Sequence, residues 1–240
     1  MVKKYSITLL TIIAIISPFL LHAQKDQIPL ETTLAQASER QLIKIGMITQ
    51  SKPAKLKFGV YSTDNRKGRH KKEGDDATEL LFSFDLKNNK GDLVKIEASG
   101  NQEESNTSKK TEGQDDISVY LTTSLDEEDL WVLLITKPRD GGDLSLKNIF
   151  LTNGEEEIVF KHVKGTPTNK SENTAPKGIE AFIDDYPIGA MQYYSGGSFS
   201  YKKFIWISGK TETQTQLIMA AVFSSLLEVA DYFQDLGFTD

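Results

Sequence analysis

Leu217-Ile218-Met219-Ala220-Ala221-Val222-Phe223-Ser224-Ser225-Leu226-Leu227-Glu228-Val229-Ala230-Asp231-Tyr232-Phe233 is the stretch that decides how this chain folds. It has helix length and contains neither Gly nor Pro. Thr211-x-x-Gln214 and Thr213-x-x-Gln216 each offer a capping box ahead of it, and Gly237 suits its C-terminal cap. The polar residues Ser224, Ser225, Glu228 and Asp231 fall on one narrow stripe at a helical period, and the rest of the circumference is apolar. Such a helix has to be covered by protein or lipid. A membrane span is disfavoured, because Ser224-Ser225 and Glu228 interrupt it and a charge near mid-bilayer is costly. A helix laid across a β-sandwich needs only one apolar face. A helix surrounded by a closed or nearly closed sheet uses the whole circumference and removes the sheet's open edges.

Working outward, the body of the chain supplies that sheet. Short runs with period-two alternation are separated by turn residues: 42–48, 56–61, 80–86, 93–96, 117–121, 130–135, 144–151, 158–163, 179–183, 188–194 and 199–207. Asn88-Asn89-Lys90-Gly91 and Asn153-Gly154 carry hairpin chemistry, and an acidic turn spans Asp126 to Asp129. The fold class is mainly β: an antiparallel meander of about eleven strands, forming a barrel or sandwich, with one hydrophobic C-terminal helix packed in or against it. Residues 24–40 read as an N-terminal arm with a short helix near Leu30–Ala37, and 41–240 as the β-rich domain. Within it, 99–116 reads as a long polar loop and 164–178 as a linker-like crossing with Pro167 and Pro176.

The first 23 residues read as a secretory signal peptide: Lys3 and Lys4, an apolar core from Ile7 to Ile16, Pro18, and a small residue at Ala23. The expected address is the periplasm or the extracellular space, with no membrane span left in the mature chain. The chain has no cysteine, which excludes disulfides, a thiolate nucleophile, a cysteine metal site and an acylated lipoprotein anchor. An exported protein held by its core alone points to a bacterial envelope. The formal net charge of −6, more negative once Lys3 and Lys4 leave, argues against nucleic acid as a partner.

The C-terminal quarter resembles the tubby-like fold shared by tubby proteins, phospholipid scramblases and the plant LURP-one-related group. The residues that carry the resemblance are Tyr186-Pro187-Ile188-Gly189-Ala190-Met191, Ser195-Gly196-Gly197, the strand Phe199–Ile207 and the helix Leu217–Phe233. The rest of the chain matches by strand count alone. What the resemblance implies is a barrel closed around a buried helix; no functional residue is carried over from it.

Chemistry-bearing motifs are sparse. Only His70 and His162 remain after the leader, and they share no motif, which makes a histidine-based triad or zinc cluster improbable. There is no Gly-x-Ser-x-Gly elbow, Walker loop or His-Glu-x-x-His. No metal or cofactor is expected. Carboxylates crowd Asp126-Glu127-Glu128-Asp129, Asp140-Gly141-Gly142-Asp143, Glu155-Glu156-Glu157 and Asp184-Asp185, where turns keep them solvated. Two site readings are carried forward. Arg66, Lys67, Arg69, Lys71 and Lys72 form a basic run, taken to lie between strands, that suits an anion, although Glu73, Asp75 and Asp76 blunt its field. Tyr193, Tyr194, Tyr201 and Trp206 suit a stacking surface for a ligand, weighed against core filling. The expected function is an exported, non-enzymatic binding or structural module for an apolar or lipid-like ligand or a protein partner. The alternative is a carboxylate-based hydrolase, or a sugar-binding module, acting on polysaccharide.

Overall fold

Strand alternation leaves one apolar face to cover, and the chain covers it by closing on itself. The computed structural model describes residues 27–46, 55–71, 77–103, 114–138, 148–167, 175–195 and 202–235. Among these, thirteen strands form one antiparallel sheet. They are β1 (Gln41–Leu42), β2 (Lys44–Ile45), β3 (Leu56–Phe58), β4 (Tyr61–Lys71), β5 (Ala77–Lys87), β6 (Leu93–Glu103) and β7 (Gln114–Thr123). There follow β8 (Leu130–Pro138), β9 (Asn148–Thr152), β10 (Glu157–Lys164), β11 (Lys177–Ile183), β12 (Tyr186–Tyr194) and β13 (Phe204–Ile207). The described residues also hold two helices: α1 (Thr32–Ala37) in the arm and α2 (Thr213–Asp235).

From β3 to β13 the strands pair in sequence order. The remaining segment joins the two ends of that meander. β1 pairs with β13 and β2 pairs with β3. Between them the N–H of Ile43 donates to the carbonyl of Lys203 at 3.0 Å, and the N–H of Gly46 donates to that of Lys55 at 2.8 Å. One six-residue stretch, 41–46, therefore serves both edges, and the result is a nearly closed barrel. The satisfied edges remove the aggregation hazard of an open sheet.

The helix lies inside. Every residue from Leu217 to Val229 is buried, and α2 packs against β5, β6, β7, β12 and β13. Inward positions from all sides of the wall join it in one cluster, among them Phe84, Ile96, Val119, Leu133, Leu151, Ile158, Ile179 and Ile205. Gly189 on β12 makes one close approach possible: a Cβ there would sit 3.1 Å from Cε2 of Phe223 and 3.1 Å from the carbonyl of Trp206. No helix among the described residues is long and apolar enough to cross a membrane.

The hairpin signals hold in detail. The Asn88 side-chain oxygen accepts from the N–H groups of Lys90 (2.9 Å) and Asp92 (3.0 Å), with Gly91 at φ +93°. Asn153 does the same for Glu155 (3.0 Å) and Glu156 (2.8 Å), with Gly154 at φ +91°. Neither expected capping box forms. Thr211 Oγ1 donates to the carbonyl of Ser208 at 2.9 Å, and the Gln214 amide donates to Asp129 at 2.8 Å.

Several boundaries differ from the sequence reading. The strand expected over 56–61 is two, β3 and β4, joined at Gly59-Val60. The basic run expected between strands lies on β4, at least to Lys71. That strand carries the polar Thr63 and Arg66 toward the inside, and the pattern of apolar alternation therefore passes over it. The polar stretch from Ser99 is strand to Glu103, and strand resumes at Gln114; Ser99 pairs with Ser118 and Asn101 with Asp116. Residues 104–113 lie outside the described residues. The crossing at 164–178 is pinned at its base, where Lys164 pairs with Lys177 and the N–H of Gly165 donates to the carbonyl of Pro176 at 2.8 Å. Among the described residues the last strand runs from Phe204, with Lys202 and Lys203 ahead of it outside the strand, and β9 runs from Asn148; the expected strand residues 144–147 and 199–201 lie outside the described residues. The leader expected over residues 1–23 lies outside the described residues.

Candidate functional site

A barrel filled by its own helix has three places left for chemistry: the contacts of helix with wall, the turns at the rims, and the outer face. The polar stripe of α2 occupies the first. Ser224 and Ser225 are fully buried, and their hydroxyls donate to the carbonyls of Ala220 (2.8 Å) and Ala221 (2.9 Å), four residues back. This local satisfaction lets a hydroxyl sit in a core without a partner from the wall. Glu228 cannot satisfy itself in this way. It pairs with the guanidinium of Arg66 on β4, both side chains being largely buried. A bulge brings Arg66 there. Thr63 pairs with Leu86 and Lys67 with Ser83, so four steps on β4 face three on β5, through a register shift between Asp64 and Lys67. Asn65 sits within it at φ +50° and turns outward to Asp85, and Arg66 takes the inward place. A bulge re-aims a side chain in this manner.

The expected anion patch is thereby divided. Arg66 is committed to Glu228, whereas Lys67 is exposed on the outer side. Arg69 and Lys71 lie on the C-terminal stretch of β4, where the side chains fall outside the described residues, as does Lys72 altogether. The aromatic candidates are divided too. Tyr193 packs against the inner cluster. Tyr194 is half-buried, with Lys177 Nζ 6.0 Å from its ring centroid. Trp206 is on the outer face beside Phe204, their centroids 6.3 Å apart, and Tyr201 lies outside the described residues. No shared platform joins Tyr193 and Trp206, because the wall stands between them.

Trp206 is covered by the N-terminal arm. Ile28 and Leu34 pack with Ala190, Phe204 and Trp206 in a second apolar cluster outside the barrel. Two side chains of the wall receive the arm's backbone: Gln192 accepts from the N–H of Ile28 at 3.0 Å, and Glu180 accepts from the N–H of Glu31 at 2.8 Å. Gln192 is held in turn by Ser195 at 2.8 Å, whose hydroxyl donates to the carbonyl of Lys202 at 2.6 Å. Arg40 lies over the Phe204 ring, 3.7 Å from its centroid. Gly178 leaves space for the arm, since a Cβ there would meet Ile28 at 2.6 Å. Ile28 and Leu34, with the two backbone N–H groups given to Gln192 and Glu180, hold the arm to the wall.

Next to the covered cluster is an uncovered one. Tyr120, Leu130, Leu134 and Val159 are 43, 47, 42 and 43% exposed. They lie together on the outer face: Tyr120 is opposite Val132, Leu134 opposite Phe150, and Phe150 opposite Val159. Lys95 and Glu97 on one side, and Glu157 and Lys161 on the other, are exposed and flank this row. A patch depleted of charge at its centre and rimmed by both signs has the anatomy of a protein interface.

Among the described residues the carboxylates of the acidic runs sit in turns. Asp126 to Asp129, Glu155 to Glu157 and Asp184-Asp185 line turns at one rim, and Asp140 and Asp143 lie outside the described residues. Asp129 there accepts from the Trp131 indole (2.7 Å), Asn153 (2.8 Å) and Gln214 (2.8 Å), tying two hairpins to the start of α2. The buried acids Glu180 and Glu228 are on opposite sides of the wall. Burial pushes the Glu180 carboxyl above its ordinary value; the charge of Glu31 adds to the rise, and the Glu31 N–H and Lys161 oppose it. Among the described residues no group of three or more His, Asp or Glu stands ready to hold a metal ion. His162 is an exposed residue of β10.

The arm site and the open row were missed by motif search. One signal for the row was present: Leu130-Trp131-Val132-Leu133-Leu134-Ile135 is apolar at every position, which means both faces of β8 are apolar. No family model, curated protein or solved structure matches the chain.

Proposed function

We propose that this chain is an exported, non-enzymatic binding module that docks a partner protein on the outer face of β7–β10. The observation that carries the reading is the open apolar row of Tyr120, Leu130, Leu134 and Val159, beside a similar patch that the chain covers with its own arm. A protein surface fits this flat row better than a lipid-like ligand does, because the apolar lumen is taken by α2. The leader-like first 23 residues support export. The near-closed meander around one C-terminal helix supports a place beside the tubby-like proteins.

A photo-crosslinking amino acid at Tyr120 or Leu134 of the full chain, expressed in cells, tests docking and export together. The expected result is one recurrent adduct from both positions, none from Lys57 on the other side of the barrel, loss of the adduct with Leu130→Asp, and an exported chain beginning at Gln24. Equal labelling from Lys57, or adducts that survive Leu130→Asp, contradict the docking face. A chain that keeps Met1 and stays in the cytoplasm contradicts export.

A further inference from the structure

Residues 27–40 lie across the outer face of β11–β13, and one buried carboxylate receives them. Glu180 points outward from β11 and is nevertheless only 4% exposed, beneath the arm whose Glu31 N–H it accepts. The groups around it are few. From β10, Lys161 stands opposite it in register, with its ammonium also drawn to Asp185 at 3.5 Å and to the Phe182 ring at 4.2 Å. From the arm comes Glu31, a second carboxylate. From β12 come Ala190, opposite in register, and the neutral Gln192; from β13 comes Trp206, opposite Ala190. Docking therefore takes an outward carboxylate out of water and sets another acid beside it, with the shared cation of Lys161 in compensation.

We infer that the arm is a proton-controlled strap: a proton taken up at Glu180 tightens residues 27–40 on the barrel, and its loss loosens them and bares Trp206, Phe204 and Ala190. The direction follows from linkage. Docking raises the Glu180 pKa, chiefly by desolvation. Docking is thus strongest below the ordinary carboxylate range and weakens as pH rises through the raised value. Loosening bares a second apolar cluster on the outer face, with Glu180 and Lys161 between Ala190 and the open row. The strap does not depend on what docks on β7–β10.

The chain contains no cysteine, so Leu34→Cys gives a single thiol beneath the arm. Its rate of reaction with 4,4′-dithiodipyridine, divided by that of free cysteine at each pH, reads the open fraction. The expected result is a rise from pH 4 to pH 8 of about tenfold for each unit by which docking raises the Glu180 pKa. Glu180→Gln should hold the rate at its acid level throughout. Leu34→Cys itself loosens the plug, so acrylamide quenching of Trp206 with Leu34 intact provides the second reading; Trp131, buried in the barrel, supplies a constant background. Quenching should increase with pH and lose that dependence in Glu180→Gln. The inference is overturned if both readings are flat with pH, or if Glu180→Gln leaves their pH profile unchanged.

Discussion

Arg66 and Glu228 show how a polar strand and a polar helical stripe answer each other. The stripe is a narrow break in an otherwise apolar helix, and the strand facing it is the one without an aliphatic pattern. A buried pair is weak evidence of net stability, but removing one partner strands the other charge. Arg66→Met is expected to cost about 3–5 kcal/mol in urea denaturation, and Arg66→Met with Glu228→Leu to recover most of that. A double variant as unstable as the single one contradicts the pairing. At this scale the sequence was least legible. Arg66 reads as one cation in a solvated run, and the inward turn comes from a single-residue bulge at Asn65, which composition does not reveal. Trp206 was legible as a buried ring but not as one buried by the arm, because Ile28 is far from it in sequence.

At the scale of elements, α2 and its seat on β12 decide stability. Phe223 is fully buried against Gly189. Phe223→Ala is expected to cost about 3–5 kcal/mol, and Gly189→Ala to destabilise by crowding the ring and the Trp206 carbonyl. Gly189→Ala combined with Phe223→Leu should cost less than the two changes summed, since they share one contact. Strict additivity in urea denaturation would show that the ring and Gly189 do not meet. The helix was legible because its apolar circumference is extreme, and the hairpins because Asn88 and Asn153 carry their own turn chemistry. β4 was not, since Thr63 faces inward with its Oγ1 accepting the Leu56 N–H at 2.9 Å, a polar solution to a core position.

At the scale of the molecule, closure rests on residues 41–46, which bond to β13 on one side and β3 on the other. The sequence announces an antiparallel meander but not where its edges meet, because a run as short as Gln41–Ile45 carries no sign that its two halves serve different neighbours. Closure makes the lumen a core and sends any partner to the outer face, part strapped and part open. All of this requires α2 to lie within the wall. Hydrogen exchange by mass spectrometry over residues 217–229 measures that directly. These amides are expected to exchange only through global unfolding, with protection matching the stability obtained from urea. Exchange of the same segment within minutes, under conditions where β6–β8 remain protected, would place the helix outside the barrel.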